Sequence, residues 1–315
     1  KCACSKVRRI NLPSMTDSER IQKGTFDALP QAMQNAIEAA WIEDIGSGDI
    51  TSEACVPSEA VEAAGFLVKA SGTLAGLDVA EAVFAFGAPS VRFEKLASDG
   101  DRVQIGDLVA RVEGPAREIL TAERLALNFM QRMSGVATAT HDAVTALKGT
   151  HTKVLDTRKT TPGLRLFEKQ AVVLGGGVNH RMGLFDQILI KDNHIDYAGS
   201  VLAAVAGAHR HLAETGRKVP VVVEVRDLRE IQDALAAGGV DRLLLDNFTP
   251  TQTAEAVARI DGRVATESSG GLTPNTVRAY GDAGVDYVSL GWLTHSPVSL
   301  DISLKSMDAL KKQGS

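Results

Sequence analysis

Residues 156–194 read DTRKTTPGLRLFEKQAVVLGGGVNHRMGLFDQILIKDNH, and this stretch decides how the rest of the chain is read. It carries Arg158, Lys159, Arg165, Lys169, His180, Arg181 and Lys191 around the run Gly175-Gly176-Gly177. A solvated charged helix would carry such cations without three glycines or short apolar strands beside them. Here two strand-like segments end at the cations: VLDT before Arg158, and QILI before Lys191. Cations gathered where strands end describe a pocket for a strongly anionic small molecule. The glycine run lacks the Lys-Ser/Thr that follows a phosphate loop, so it reads as a tight turn or as a close backbone approach beside His180 and Arg181.

Outward from this stretch, residues 134–295 alternate strands and helices. Nearly continuous apolar strands fall at about 153–157, 187–191, 220–225, 242–246, 264–268 and 286–290, separated by helical segments of ten to fifteen residues, the pattern of a parallel sheet with crossovers. The strands end in turn at Asp156/Arg158, Lys191, Glu224, Asp246, Glu267/Ser268 and Ser289/Gly291. The opposite loops end in plain turn material such as Gly238-Gly239 and Gly284. Polar residues collected at one end of the strands are the layout of a β/α-barrel active site, favoured over an open doubly wound sheet. Neither a GxGxxG after a first strand nor a GxxxxGK[ST] loop is present.

Before the barrel, residues 1–24 lack an apolar period and read as a flexible arm. Leu29 to Trp41 is an amphipathic helix stopped near Gly46, Ala63 to Lys69 a strand, and Leu77 to Phe86 a helix. Three short β signals follow: VRFEKL, DRV and DLVARVEG. Their glycine spacing resembles carrier hairpins, but no lysine stands at a hairpin tip. EILTAERLALNFMQRMSG reads as a helix ending at Ser134-Gly135, and VATATHDAVTAL as the next. Arg132 reads as a surface charge, and Arg124, beside an apolar stripe, is left undecided. After Pro297, SLDISLKSMDALKKQG reads as a last helix returning to the first domain. The expected organisation is an arm (1–24), an N-terminal α/β sandwich (25–133), an incomplete parallel β/α barrel of six to seven strands (134–295) and a C-terminal helix (296–315).

The 315 residues exceed one ordinary core. At 44% hydrophobic and net charge −5, the composition suits focused binding of a small anion and excludes a broad nucleic-acid surface. No apolar run of about 18 residues indicates a membrane span. Cys2, Cys4 and Cys55 supply no disulfide framework, which fits a reducing, cytoplasmic setting. The basic start, with Lys1, Lys6, Arg8 and Arg9, leaves plastid or mitochondrial targeting open.

Arginine grips carboxylate or phosphate bidentately, and lysine supplies a movable point charge. Glu224 and Asp246, at neighbouring strand ends, can hold Mg²⁺ through oxygen ligands or face a developing positive charge. Three readings follow from the residues: phosphate or pyrophosphate transfer on an anionic substrate, aldolase-like imine chemistry on Lys191, and a non-enzymatic anion-binding or carrier protein. The last does not need the strand-end carboxylates and ranks lowest.

LTAERLALNFMQRMSG, DTRKTTPGLR, GGGVNHRMGLFDQILIKDNH, LLLDN and SSGG, long motifs in consistent order over about residues 30 to 306, resemble the quinolinate phosphoribosyltransferase family. The resemblance implies conversion of quinolinate and 5-phosphoribosyl 1-pyrophosphate to nicotinate mononucleotide, pyrophosphate and CO₂ with Mg²⁺. It implies a homodimer or higher assembly, and assigns Arg124 (donated by the partner), Arg158, His180, Arg181 and Lys191 to quinolinate. By the same resemblance Lys159 and Lys191 line the path of dicarboxylate and diphosphate, and Glu224 and Asp246 form the acidic pair at ribose and metal. Ser269, Gly270, Gly271 and Gly291 cradle the 5′-phosphate. Val222 and Arg226, where many relatives are acidic, and TESSGG in place of EASGG are departures from the pattern.

Overall fold

The structure, a computed structural model, describes residues 25–313. The expected arm, with Cys2 and Cys4, lies outside the described residues.

Helix Gln31–Ile45 and the short helix Ile50–Cys55 come first; Asp49 caps the latter by accepting from the Thr51 and Ser52 N–H groups. Strands β1 (Val61–Val68), β2 (Gly72–Thr73), β3 (Arg92–Lys95), β4 (Arg102–Val103) and β5 (Leu108–Pro115) follow, with helix Leu77–Gly87 between β2 and β3. Phe66, Phe84 and Phe93 meet beneath them, ring centroids 5.6–6.2 Å apart. Such aromatic contacts add to the large apolar area these rings bury.

One helix of 31 residues, Ala116–Ala146, then runs from this region into the barrel. Ser134-Gly135, expected to end a helix, lies in its middle, and the reason is packing. Ser134 Oγ accepts from the Ala75 N–H (2.9 Å) and donates to the Ala75 carbonyl (3.0 Å). Gly135 lets residues 298–299 pass against the helix, since a Cβ there would lie 2.4 Å from the Val298 carbonyl oxygen. Alanine in place of Gly135 gains about 1 kcal/mol of helix propensity but meets backbone that a side-chain rotation cannot move. Overpacking of this kind costs roughly 1–3 kcal/mol or more. A lower melting temperature for Gly135→Ala is the expected result of thermal denaturation.

The barrel strands are β6 (Lys153–Leu155), β7 (Ile188–Ile190), β8 (Val221–Val225), β9 (Arg242–Asp246), β10 (Ala265–Ser269) and β11 (Tyr287–Ser289). They form one parallel sheet in the order β6-β11-β10-β9-β8-β7. A single parallel bridge, Leu155 to Val178, stands beside β6 where a further strand would close the ring. The α/β fold with an incomplete parallel β/α barrel agrees with the expectation. β8 is buried along its whole length, as a strand covered on both faces must be. Thr249 caps helix Pro250–Ile260 with a capping box shared with Gln252.

The segment after Pro297 corrects the expectation of one helix. Ile302–Ser306 is a strand, β12, and only Met307–Gln313 is helical. β12 pairs antiparallel with β1, Val68 opposite Ile302, and completes a four-stranded sheet ordered β12-β1-β5-β3. Among the described residues no helix is long and apolar enough to cross a membrane.

Candidate active site

The carboxyl ends of the barrel strands surround a cavity of about 600 Å³. Its lining holds the cations Arg158, Lys159, Arg181 and Lys191 with His180, and also Glu224, Asp246, Ser269, Gly270, Gly271 and Gly291. Arg124 is the sequence candidate not brought there. It is exposed on helix Ala116–Ala146 and has no ion pair or side-chain hydrogen bond among the described residues.

The opening stretch supplies the cationic wall, but two of its cations are absorbed in building it. Asp156 and Lys169 are both fully buried and paired, Nζ to Oδ1, at 2.5 Å. Lys169 also donates to the His180 carbonyl (3.0 Å), and the His180 N–H donates to Asp156 Oδ1 (2.8 Å). Burial pushes the Asp156 carboxyl up and the Lys169 ammonium down, each opposed by the other. Arg165 ties the two loops together, donating to Thr160 Oγ1 and to the Met182 carbonyl, both at 3.0 Å. Gly175 and Gly177 face the long helix rather than the cavity: Cβ atoms there would lie 2.4 Å from the Ala137 carbonyl oxygen and 2.8 Å from Thr140 Cγ2. Only Gly176 of the run needs positive φ, at 89°. Close packing, not approach to a ligand, explains the glycines.

Arg132 corrects its reading as a surface charge. It pairs at 2.6 Å with Glu168, which is fully buried, and also donates to the Thr294 carbonyl. Glu168 accepts from the Thr161 N–H (3.0 Å) and hydroxyl (2.7 Å), while the Thr294 hydroxyl donates to the Lys159 carbonyl (2.8 Å). The long helix therefore holds the loop that presents Lys159.

At the ends of neighbouring strands, Lys191 Nζ lies 2.6 Å from Glu224 Oε2, and Asp246 accepts from Asn247 Nδ2 at 2.8 Å. Arg181 is less ready to hold its proton than an ordinary arginine, first through burial and then through Arg158 beside it. An anion between the two would relieve both effects. Gly270 has φ of 108°, and a Cβ on it would lie 2.2 Å from Asn247 Oδ1. At Gly291 a Cβ would meet the Lys159 stem at 2.8 Å. Of the departures, Val222 is buried one step below Glu224 on the same face, and Arg226 pairs outside the cavity with Glu230 (2.5 Å) and Asp196 (3.1 Å).

Sequence reading missed Glu267 as a site residue, naming it only as a strand end. It is fully buried, lines the cavity, and faces His180 Nε2 at 3.5 Å and Arg242 at 3.1 Å. Burial pushes its carboxyl up, yet His180, Arg242 and Ser289 together hold it below the ordinary value. Strand alternation was the available signal: if Asp246 and Ser269 face inward, so do Arg242, Leu244 and Glu267.

An open parallel barrel whose mouth sets arginines and lysines against two strand-end carboxylates defines a barrel enzyme that handles a polyanion. Family models for the quinolinate phosphoribosyl transferase N-terminal and C-terminal domains match residues 49–134 and 136–305. The chain belongs to the quinolinate phosphoribosyltransferase family. It is 42% identical over 288 residues to quinolinate phosphoribosyltransferase [decarboxylating] 2b, mitochondrial, of Nicotiana tabacum, covering 87% of this chain and 82% of that protein. To the chloroplastic nicotinate-nucleotide pyrophosphorylase [carboxylating] of rice, Oryza sativa subsp. japonica, it is 43% identical over 315 residues, 94% of this chain and 84% of the relative. The crystal structure of NadC from Streptococcus pyogenes superposes with a TM-score of 0.83 at 42% identity, covering 90% of this chain and 99% of that one.

Proposed function

We propose that the chain transfers the phosphoribosyl group of 5-phosphoribosyl 1-pyrophosphate to quinolinate, releasing pyrophosphate and CO₂ and forming nicotinate mononucleotide for NAD synthesis. The observation that carries this reading is that one cavity at the strand ends is lined by Arg158, Arg181 and Lys191 together with the carboxylates of Glu224 and Asp246.

In this reading Arg158, Arg181, His180 and Lys191 hold the two carboxylates of quinolinate against their mutual repulsion. Lys159, Ser269, Gly270, Gly271 and Gly291 take the phosphates of the co-substrate, the glycines leaving backbone N–H groups open to it. As the bond from the ribose carbon to pyrophosphate breaks, positive charge grows on that carbon, and Glu224 and Asp246 face it. The ring nitrogen of quinolinate then bonds to the same carbon. The cationic ring nitrogen stabilises the electron pair left on the adjacent carbon when the C–CO₂ bond breaks, and a proton from solvent then takes the place of CO₂, so no protein base is needed.

The donor set fits Mg²⁺. Among the described residues no group of three or more His, Cys, Asp or Glu could hold a metal. Two carboxylates alone suit an ion that is bound by one or two acids and completes its shell with water and substrate phosphates. Glu224 and Asp246 would hold it, and when bound it would supply neutralising charge to the diphosphate.

The imine alternative fares worse because the Lys191 amine is engaged with Glu224 at 2.6 Å. Arg124, exposed and outside the cavity of its own chain, fits a second copy's site, which makes the working unit a homodimer or a larger assembly. The mitochondrial tobacco and chloroplastic rice relatives favour an organelle over the cytoplasmic expectation. The test is incubation with quinolinate, 5-phosphoribosyl 1-pyrophosphate and Mg²⁺. Equimolar release of nicotinate mononucleotide and CO₂ is expected, and release of neither would overturn the reading.

A further inference from the structure

Beneath the mouth, the barrel floor holds a buried chain of charges. β9 and β10 pair with Leu244 opposite Glu267, so Arg242 and Glu267 point into the same interior. Glu267 has no exposed surface, and its carboxylate oxygens are offset by charged neighbours rather than by hydrogen bonds of full geometry among the described residues. Arg242 lies 3.1 Å from Oε2, with its guanidinium 4.8 Å above the Tyr287 ring. His180 Nε2 lies 3.5 Å from Oε1. Leaving a buried carboxylate unsatisfied is costly, so its neighbours are constrained to face it.

The other ring nitrogen of His180 is also committed. Nδ1 is 2.7 Å from the backbone nitrogen of Arg181, whose N–H donates to it. An accepting nitrogen carries no proton, so the ring proton of neutral His180 sits on Nε2, facing Glu267. The same contact fixes the backbone from which the Arg181 side chain reaches the cavity. The order of influence therefore runs from Arg242 through Glu267 and His180 to the Arg181 N–H.

We propose that Glu267 is a positioning residue: it holds His180 in its Nε2–H form, and through the His180 ring it sets Arg181 for the dicarboxylate. The proposal rests on the cavity being the quinolinate site, and it assigns His180 an orienting task beyond contact with the ligand.

The substitution Glu267→Gln keeps the size of the side chain and removes its charge. Arg242 only donates, so the amide carbonyl stays with Arg242 and the amide N–H faces His180 Nε2, which forces the ring proton onto Nδ1, against the Arg181 N–H. A rise in the quinolinate KM of about tenfold, the equivalent of one disrupted buried hydrogen bond, is expected. The KM for 5-phosphoribosyl 1-pyrophosphate should stay within about twofold, because the change passes through the His180 ring to Arg181, neither of which holds its phosphates. A general loss of stability would not separate the two substrates in this way. An unchanged quinolinate KM, or equal changes in both, would overturn the proposal.

A second measurement needs neither turnover nor the variant. ¹⁵N NMR of the histidine rings in the intact protein should show His180 with Nε2 protonated and Nδ1 bare. The opposite tautomer would overturn the proposal even if Glu267→Gln does not fold. If quinolinate is not turned over at all, the functional reading fails, while the tautomer still decides the link between Glu267 and His180.

Discussion

Replacing Arg158 by alanine is expected to remove quinolinate turnover while leaving the melting temperature where it was. Arg158 is exposed at the mouth and has no side-chain hydrogen bond or ion pair among the described residues, so the fold does not lean on it. Its neighbour in charge is Arg181, a second cation, whose guanidinium it makes less comfortable. Two like charges held together are stabilised by the anion they bind. Truncating one partner of a desolvated charge pair costs about 2–5 kcal/mol, roughly thirtyfold to several-thousandfold in kcat/KM. Near-normal kcat/KM in Arg158→Ala would remove quinolinate from the cationic wall. The same variant tests the shared site. Mixed with an inactive Arg124→Ala protein under exchange, it should recover about a quarter of wild-type activity, because half the dimers are then hybrids with one intact site of two. No recovery would place Arg124 outside the partner's cavity.

Lys169→Met should produce the largest loss of stability. Methionine nearly matches the buried stem of lysine, so the main change is electrostatic: Asp156 stays fully buried without its partner at 2.5 Å. Breaking a buried pair from one side costs about 3–5 kcal/mol. The pH dependence has a definite sign. Burial already raises the Asp156 carboxyl, and Lys169 is the main force opposing it. Without Lys169 the native state keeps a proton that the unfolded chain has released, so the variant gains stability as pH falls through that raised value. Urea denaturation at several pH values would show this, and a variant whose stability ignores pH would contradict it. Adding Asp156→Asn should restore part of the loss, since it removes the stranded charge.

How much was legible in advance depended on the range over which each signal acts. The barrel strands are short segments bounded by turns and separated by helices, a local signal, and their ends placed Lys191, Glu224 and Asp246 at the mouth, whereas Ser269 came from the family resemblance. β12 was misread because Leu300, Ile302, Leu304, Met307 and Leu310 also satisfy a helical spacing. Its partner β1 lies far earlier in the chain, and nothing local announces the pairing. Arg132 and Lys169 were misplaced for the same reason. Their carboxylate partners, Glu168 and Asp156, are brought to them only by tertiary packing. Glu267 was readable by alternation along its strand, but its neighbours His180 and Arg242 come from other strands and loops.

The pairing of β12 with β1 also bears on how the protein is made. A ribosome releases β1 well before β12, with the six barrel strands between them. Until residues 302–306 emerge, one edge of β1 from Ala64 to Val68 has no partner. An unpaired apolar edge is a template for pairing with another chain, and the whole barrel must be synthesised while it waits. The speed at which residues 302–306 follow, set against the rate at which the open edge meets another chain, governs how much of the newly made protein reaches its native state.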